Sequence, residues 1–372
     1  MTIEAKATSL DEFNKDINIF DVPFAYKFEN QKEDISTLLV LPNPEQVNEF
    51  NEAVAIFSFE TVALLRSKYF FGIRQRSGML GVLYNTFVDL LNKENKDLDD
   101  FLTLQAVYAD MVIKFGTFLE DFAGMCVACA EYKNNQVDIA ETFLAFSNPS
   151  GFYSSIASKN GKRQIKRIFL LPESKGDIRK IFKDLASDEE ELIYRAVQKS
   201  VEVINDKLLN ISSSILRNSD EAVTYYDMYN KLKHGFAPMY LFANSMITPL
   251  EGFSSDMSKE EVEQVIIEYF FNNLTIMHDK LVGQRTVAEE TKYNETKRAT
   301  PTFTFQDINI NTANDIKQAT VNIENLYHYL MKRYLLIAEN NNALTLLMSD
   351  EYMNREEINR VVEIIDNVDN YK

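Results

Sequence analysis

Between residues 101 and 132 the chain carries an unbroken helical stripe, and any fold it adopts must be built around it. Phe101, Leu104, Tyr108, Met111, Phe115, Phe118, Phe122, Met125 and Cys129 follow one another three or four residues apart. That spacing returns each side chain to the same face of an α-helix. Val112, Leu119 and Cys126 widen the stripe. A face this broad needs neighbours on several sides, so it belongs in the middle of a bundle and not on its rim. At 1.5 Å per residue the helix would be roughly 48 Å long. Only 11 Gly and 8 Pro in 372 residues leave few turns, which favours long helices over many short strands. The expected fold is all-α: a multi-helix bundle around a long central helix at 101–132, with at most minor strand content.

The rest of the chain divides around that spine. Residues 1–43 read as an N-terminal lead-in segment, in which Leu38-Leu39-Val40-Leu41-Pro42 suits a short strand or an extended approach. An N-terminal helical half at 44–147 opens on Pro44, a first-turn proline, and includes a second helix at about 79–92 before the spine. The helical pattern fails over 148–176, where turn signals recur at Asn148-Pro149-Ser150-Gly151, Asn160-Gly161 and Leu171-Pro172-Glu173. This stretch reads as a connector with one apolar segment, 165–171, of either strand or helical form. A second helical half at 177–290 holds helices at about 177–186, 188–216 and 221–234. Within it, Ser258-Lys259-Glu260-Glu261 is a capping box, predicted to open a helix that runs to about 287. The remainder, 291–372, is a polar loop with a short strand near 302–305, then helices at about 314–340 and 354–367.

Charge and motifs narrow the function. With 39 basic and 56 acidic residues the formal charge is −17, a field that disfavours RNA and anionic membranes unless a local basic patch overcomes it. Two such patches exist: Lys162, Arg163, Lys166 and Arg167 within six residues, and Arg66, Lys68, Arg74 and Arg76 interleaved with Tyr69, Phe70 and Phe71. Two cysteines and a polar, acidic first segment point to a reducing, cytoplasmic setting. No run approaches the ~18 apolar residues of a spanning helix. Abundant Asn, Lys, Ile and Glu match an AT-rich bacterial or phage gene. No phosphate loop, dinucleotide fingerprint, nucleophile elbow or EF-hand loop occurs, which removes the common nucleotide-dependent and serine-hydrolase classes.

The remaining chemical signals have structural explanations. Cys126-Val127-Ala128-Cys129 has CxxC spacing but lies inside the apolar stripe, without the two further ligands zinc requires. His278 and His328 each stand alone. Glu120-Asp121 reads as a solvated face, and the acidic run at 188–191 as a helix first turn, where carboxylates meet the positive dipole end. Neither a metal nor a cofactor is expected.

One stretch does carry a pattern: Tyr229-Asn230-Lys231-Leu232-Lys233-His234-Gly235. Asp227, Asn230 and His234 share a helix face, being three and four residues apart. A purely structural role also suits it. Gly235 would end the helix in a left-handed cap, Lys231, Lys233 and His234 would complement the dipole, and Asp227 or Asn230 would hold the His ring.

On a Tyr-rich helix behind long amphipathic helices, this motif resembles the HEPN superfamily of prokaryotic helical proteins, over about residues 100–285. Catalytic members of that superfamily place an Arg ahead of a polar residue and a His, and two protomers join to cleave RNA without metal. Asn230 and His234 match the polar residue and the His; Tyr229 stands at the Arg position. Tyr supplies no permanent cation for the phosphorane charge. The resemblance therefore implies a non-catalytic interaction or sensor protein, in a setting such as anti-phage or toxin–antitoxin defence. Its partner would be a second copy or a protein from the same operon. Asp227, Asn230, Lys231, Lys233, Lys162, Arg163, Lys166 and Arg167 are its candidate binding residues. The alternative is a metal-independent ribonuclease assembled across a dimer. There His234 would be the acid/base, and Lys231, Lys233 or the Lys162–Arg167 cluster would replace the missing Arg.

Overall fold

The computed structural model describes residues 15–19, 22–31, 35–42, 44–217, 223–233, 256–280, 284–341 and 343–372, and these are mostly α-helical. Strands β1 (Lys15–Ile19), β2 (Val22–Gln31) and β3 (Ile35–Pro42) come first and pair antiparallel in that order. Helices α1 (Pro44–Val54) and α2 (Phe59–Ser67) follow. A π-helical turn at Lys68–Gly72 then runs directly into α3 (Ile73–Leu91). The spine is α4 (Leu98–Asn135). Four short helices come next: α5 (Ile139–Ala145), α6 (Pro149–Ile156), α7 (Gly161–Ile168) and α8 (Lys175–Ile181). They lead to α9 (Ser187–Ser212) and α10 (Tyr225–Leu232). Helix α11 (Lys259–Phe271) precedes β4 (Asn273–Asp279), and α12 (Val287–Thr296) precedes β5 (Pro301–Asp307). Helices α13 (Ile310–Ala338) and α14 (Arg355–Asp366) complete the chain.

The spine forms as its stripe requires. Asp97 opens it in a reciprocal capping box with Asp100, and Gln136 closes it in the left-handed region at φ 56°. Its 38 residues span about 57 Å. Every residue of the sequence stripe is buried. Helices α3, α5, α6, α7, α10 and α13 pack around α4, which explains a stripe wider than one neighbour needs. Helix α13 is the second core element: Tyr327 lies against Phe122 and Phe118, with ring centroids 5.5 and 6.3 Å apart. Two buried tyrosines reach the spine backbone, Tyr153 donating to the Leu119 carbonyl at 3.1 Å and Tyr334 to that of Cys129 at 2.8 Å. A buried phenol needs such a partner, because leaving it unpaired costs about 1–3 kcal/mol.

Strands β1 to β3 form a sheet where a lead-in with one short strand is expected, α12 lies partly in the expected polar loop from 291, and two further stretches differ. Over 148–176 the turn signals are the ends of short helices. Asn148 accepts from the Gly151 amide to start α6, Leu170 closes α7 in the left-handed region, and Ser174 forms a capping box with Asp177 to start α8. The helix opened by Ser258 stops at Phe271 and does not reach residue 287. Strand β4 follows and pairs antiparallel with β5, Met277 opposite Phe303. Leu274, Ile276 and His278 are buried on one sheet face, while on the other Met277 is exposed and Thr275 is buried at its pairing with Phe305. His278 is thus a strand residue, its Nδ1 2.6 Å from the Asp279 carbonyl and its Nε2 2.5 Å from Thr304 Oγ1. From the spine, Gln105 Nε2 donates to the Asn273 carbonyl at 2.9 Å and ties this helix-to-strand junction to α4.

Candidate functional site

The motif helix α10 begins at Thr224, whose hydroxyl accepts from the Asp227 amide while the Asp227 carboxylate returns to the Thr224 amide. Arg217 grips the same carboxylate with two bonds of 2.9 and 2.7 Å. Burial alone would push the Asp227 carboxyl up. The Arg217 and Thr224 donors outweigh it and hold the group below its ordinary value.

Two residues on, Tyr229 lies flat against Gly116 of the spine. A Cβ placed on Gly116 would stand 2.0 Å from the Tyr229 Cγ, so this approach exists only because residue 116 has no side chain. One turn along α4, Glu120 receives three donors. Tyr226 and Tyr229 give their hydroxyls at 2.8 and 2.9 Å, and Lys233 brings Nζ to 3.2 Å. The same ammonium lies 4.4 Å from the Tyr229 ring centroid. Burial, and then the Glu120 carboxylate, push the Tyr229 hydroxyl up to about 12 and raise Tyr226 as well. Glu120 is therefore not a solvated face residue. It is the anchor on which the motif helix is seated.

The neighbouring Asp121 is buried. Lys68 Nζ reaches it at 2.5 Å, Arg76 Nε at 3.2 Å and the Tyr327 hydroxyl at 3.4 Å. Lys68 comes from the π-helical turn, a local widening that often marks functional segments. Its ammonium also lies 4.9 Å from the Phe143 ring centroid. Beside these pairs opens a cleft of about 430 Å³, lined among others by Arg76, Glu120, Asp121, Phe143, Phe146 and Lys233. Two cations and two carboxylates above a pair of Phe rings suit a small polar molecule with an apolar part. A ligand that drew Lys233 away from Glu120 would act directly on the end of α10.

The structure separates the residues that the sequence grouped. Asp227 is engaged in the cap and with Arg217, and Asn230 is half-buried on the same helix. Lys231 is half-buried, and burial lowers its pKa, with Asp279 and Asp227 as the nearest opposing charges. Only Lys233 of the four joins the cleft. His234 and Gly235 lie outside the described residues. Lys162, Arg163, Lys166 and Arg167 stand on α7, where Arg163 and Arg167 face Glu173 at 4.0 and 3.5 Å. Lys166 and Arg167 line a different cleft from that of Lys233.

Gly116, Glu120, Asp121, Lys68 and Arg76 belong to the site without being among the residues that the motif singles out. Their signal was present in two halves: an acidic pair next to an all-apolar stripe, and the basic cluster at 66–76. Cys126 and Cys129 are buried free thiols in the spine, and burial raises both. His328 is half-buried, its ring edge-on to Tyr69 at 5.8 Å, and burial lowers its pKa. Among the described residues no group of three or more His, Cys, Asp or Glu is placed to hold a metal ion, and no helix is long and apolar enough to cross a membrane. No protein-family model, curated protein or solved structure matches the chain.

Proposed function

We propose that this chain is a non-catalytic, HEPN-like interaction or sensor protein, acting with a second copy of itself or with a protein from the same operon, in a bacterial defence setting. The observation that carries this reading is the engagement of Tyr229. At the position where the resemblance would put Arg, a phenol is packed on Gly116 and bonded to Glu120. It supplies neither a cation nor a mobile proton near neutral pH, because its hydroxyl is held up to about 12. Asp227 is likewise committed to the helix cap and Arg217. The cleft next to Lys233 is the sensing element in this reading, since occupancy there competes with the Lys233–Glu120 pair.

A second reading draws on Arg76 and Lys233, two cations lining one cleft beside the motif helix. They would replace the missing Arg in a metal-independent ribonuclease that uses His234 across a dimer. Incubating the purified protein and its His234→Ala variant with a mixed-sequence RNA in chelator separates the two. The interaction reading expects no cleavage from either. Cleavage by the wild type that His234→Ala abolishes would overturn it. Light scattering of the same samples, alone and with neighbouring gene products, is expected to show a dimer or a mixed complex; a monomer under both conditions contradicts the partner proposal.

A further inference from the structure

A second cleft, of about 780 Å³, opens where the end of α4 meets α7 and α8. Four cations line it, Lys133, Lys166, Arg167 and Lys180, with two carboxylates, Glu173 and Asp177. Such a concentration runs against a chain of net charge −17. Arg167 is matched by Glu173 at 3.5 Å and Lys180 by Asp177 at 2.9 Å. Lys133 and Lys166 have no carboxylate within ion-pair distance among the described residues. Lys166 is also half-buried, and its desolvation lowers the ammonium's pKa, with Glu173 opposing only at longer range. A half-buried ammonium without a counter-ion is a cost that an incoming anion would relieve.

The backbone around Lys166 is held in an unusual shape. Leu170 sits at φ 54°, a conformation that costs an L-residue roughly 1–2 kcal/mol. It closes α7 through bonds from the Leu171 amide to the Lys166 carbonyl at 2.8 Å and from the Leu170 amide to the Arg167 carbonyl at 3.4 Å. Arg333 secures that turn from behind, donating to the Leu170 carbonyl at 3.4 Å and the Ala343 carbonyl at 2.6 Å. It is 6% exposed, and its Nε has no hydrogen-bond partner among the described residues. The wall of the cleft is thus backed by a buried guanidinium bonded to carbonyls and, among the described residues, to no carboxylate.

We propose that this cleft binds a small phosphate-bearing molecule, with its phosphate or diphosphate held between Lys133, Lys166 and Arg167. Two unmatched ammoniums beside a guanidinium suit a multiply charged group better than a single carboxylate. The acidic remainder of the surface repels a long polyanion while leaving a short one free to enter. The site is independent of the Lys233 cleft, so it stands or falls apart from the interaction reading.

Titration calorimetry of the full chain with inorganic pyrophosphate, and separately with a 20-nucleotide poly(U), tests it. Pyrophosphate should bind, at least tenfold more weakly to Lys166→Gln and to Lys133→Gln, and unchanged to Lys159→Gln, an exposed lysine outside the lining. Should Lys166→Gln fail to fold, the exposed Lys133 carries the comparison. No binding by the wild type, equal binding by both lining variants, or tighter binding of poly(U) than of pyrophosphate would each overturn the proposal.

Discussion

Gly116 and Tyr229 define each other. The glycine has no side chain because the tyrosine ring occupies that space, so Gly116→Ala is expected to destabilise the fold by about 2 kcal/mol or more through overpacking. Urea unfolding reads this as a lowered midpoint, whereas Tyr229→Phe, which keeps the ring and loses one hydrogen bond, should cost about 1 kcal/mol. Asp227 gives the acid side of the same helix. Its native pKa lies below its ordinary value of 3.8, so its contribution is complete above that value and is lost as pH falls through the lower native one. Asp227→Asn should therefore be less stable than wild type at neutral pH, and the gap should close below about pH 4. Tyr229 gives the alkaline side. Its hydroxyl is raised from 10.0 to about 12, so its contribution is complete below pH 10 and is lost as pH rises toward 12. The stability difference between wild type and Tyr229→Phe should shrink over that interval.

At the scale of elements, what the sequence reveals depends on how local the cause is. The spine is legible because its burial repeats every three to four residues and needs no knowledge of its neighbours. Strand β4 is not: Leu274 to Met277 is a short apolar run, and such runs fit a strand and a buried helix equally well until a partner such as β5 is known. The caps at Asn148 and Ser174 look like loop residues because the same side chains serve turns and helix starts. The motif helix could be read, but Gly116 and Glu120, the residues that receive it, lie more than a hundred positions away in sequence, and no periodicity links them to it. The CxxC pair belongs wholly to the spine. Its thiols are buried and raised, so a thiol-reactive chromogenic disulfide should titrate neither in the native protein and both after denaturation. Prompt labelling of native protein would mean that the middle of α4 is not core.

At the scale of the whole molecule, several clefts of an acidic chain carry cations, and the one near α7 and the one near α10 differ in kind. In the cleft near α7, Lys133 and Lys166 have no matching carboxylate among the described residues. In the cleft near α10 each lining charge has a partner, and those pairs join α3, the spine and the motif helix into one joint. That joint is the core of the proposed function: the motif helix is seated on an anchor that a ligand could disturb. Loosening the anchor should release the helix first, so Glu120→Ala should speed amide hydrogen exchange over residues 225–232 more than over the centre of α4. The most direct test is a double-mutant cycle on Glu120→Ala and Tyr229→Phe, followed by urea unfolding. A coupling of about 1 kcal/mol between the two positions is expected. Strictly additive effects would mean that Tyr229 is not held by Glu120, and would contradict it.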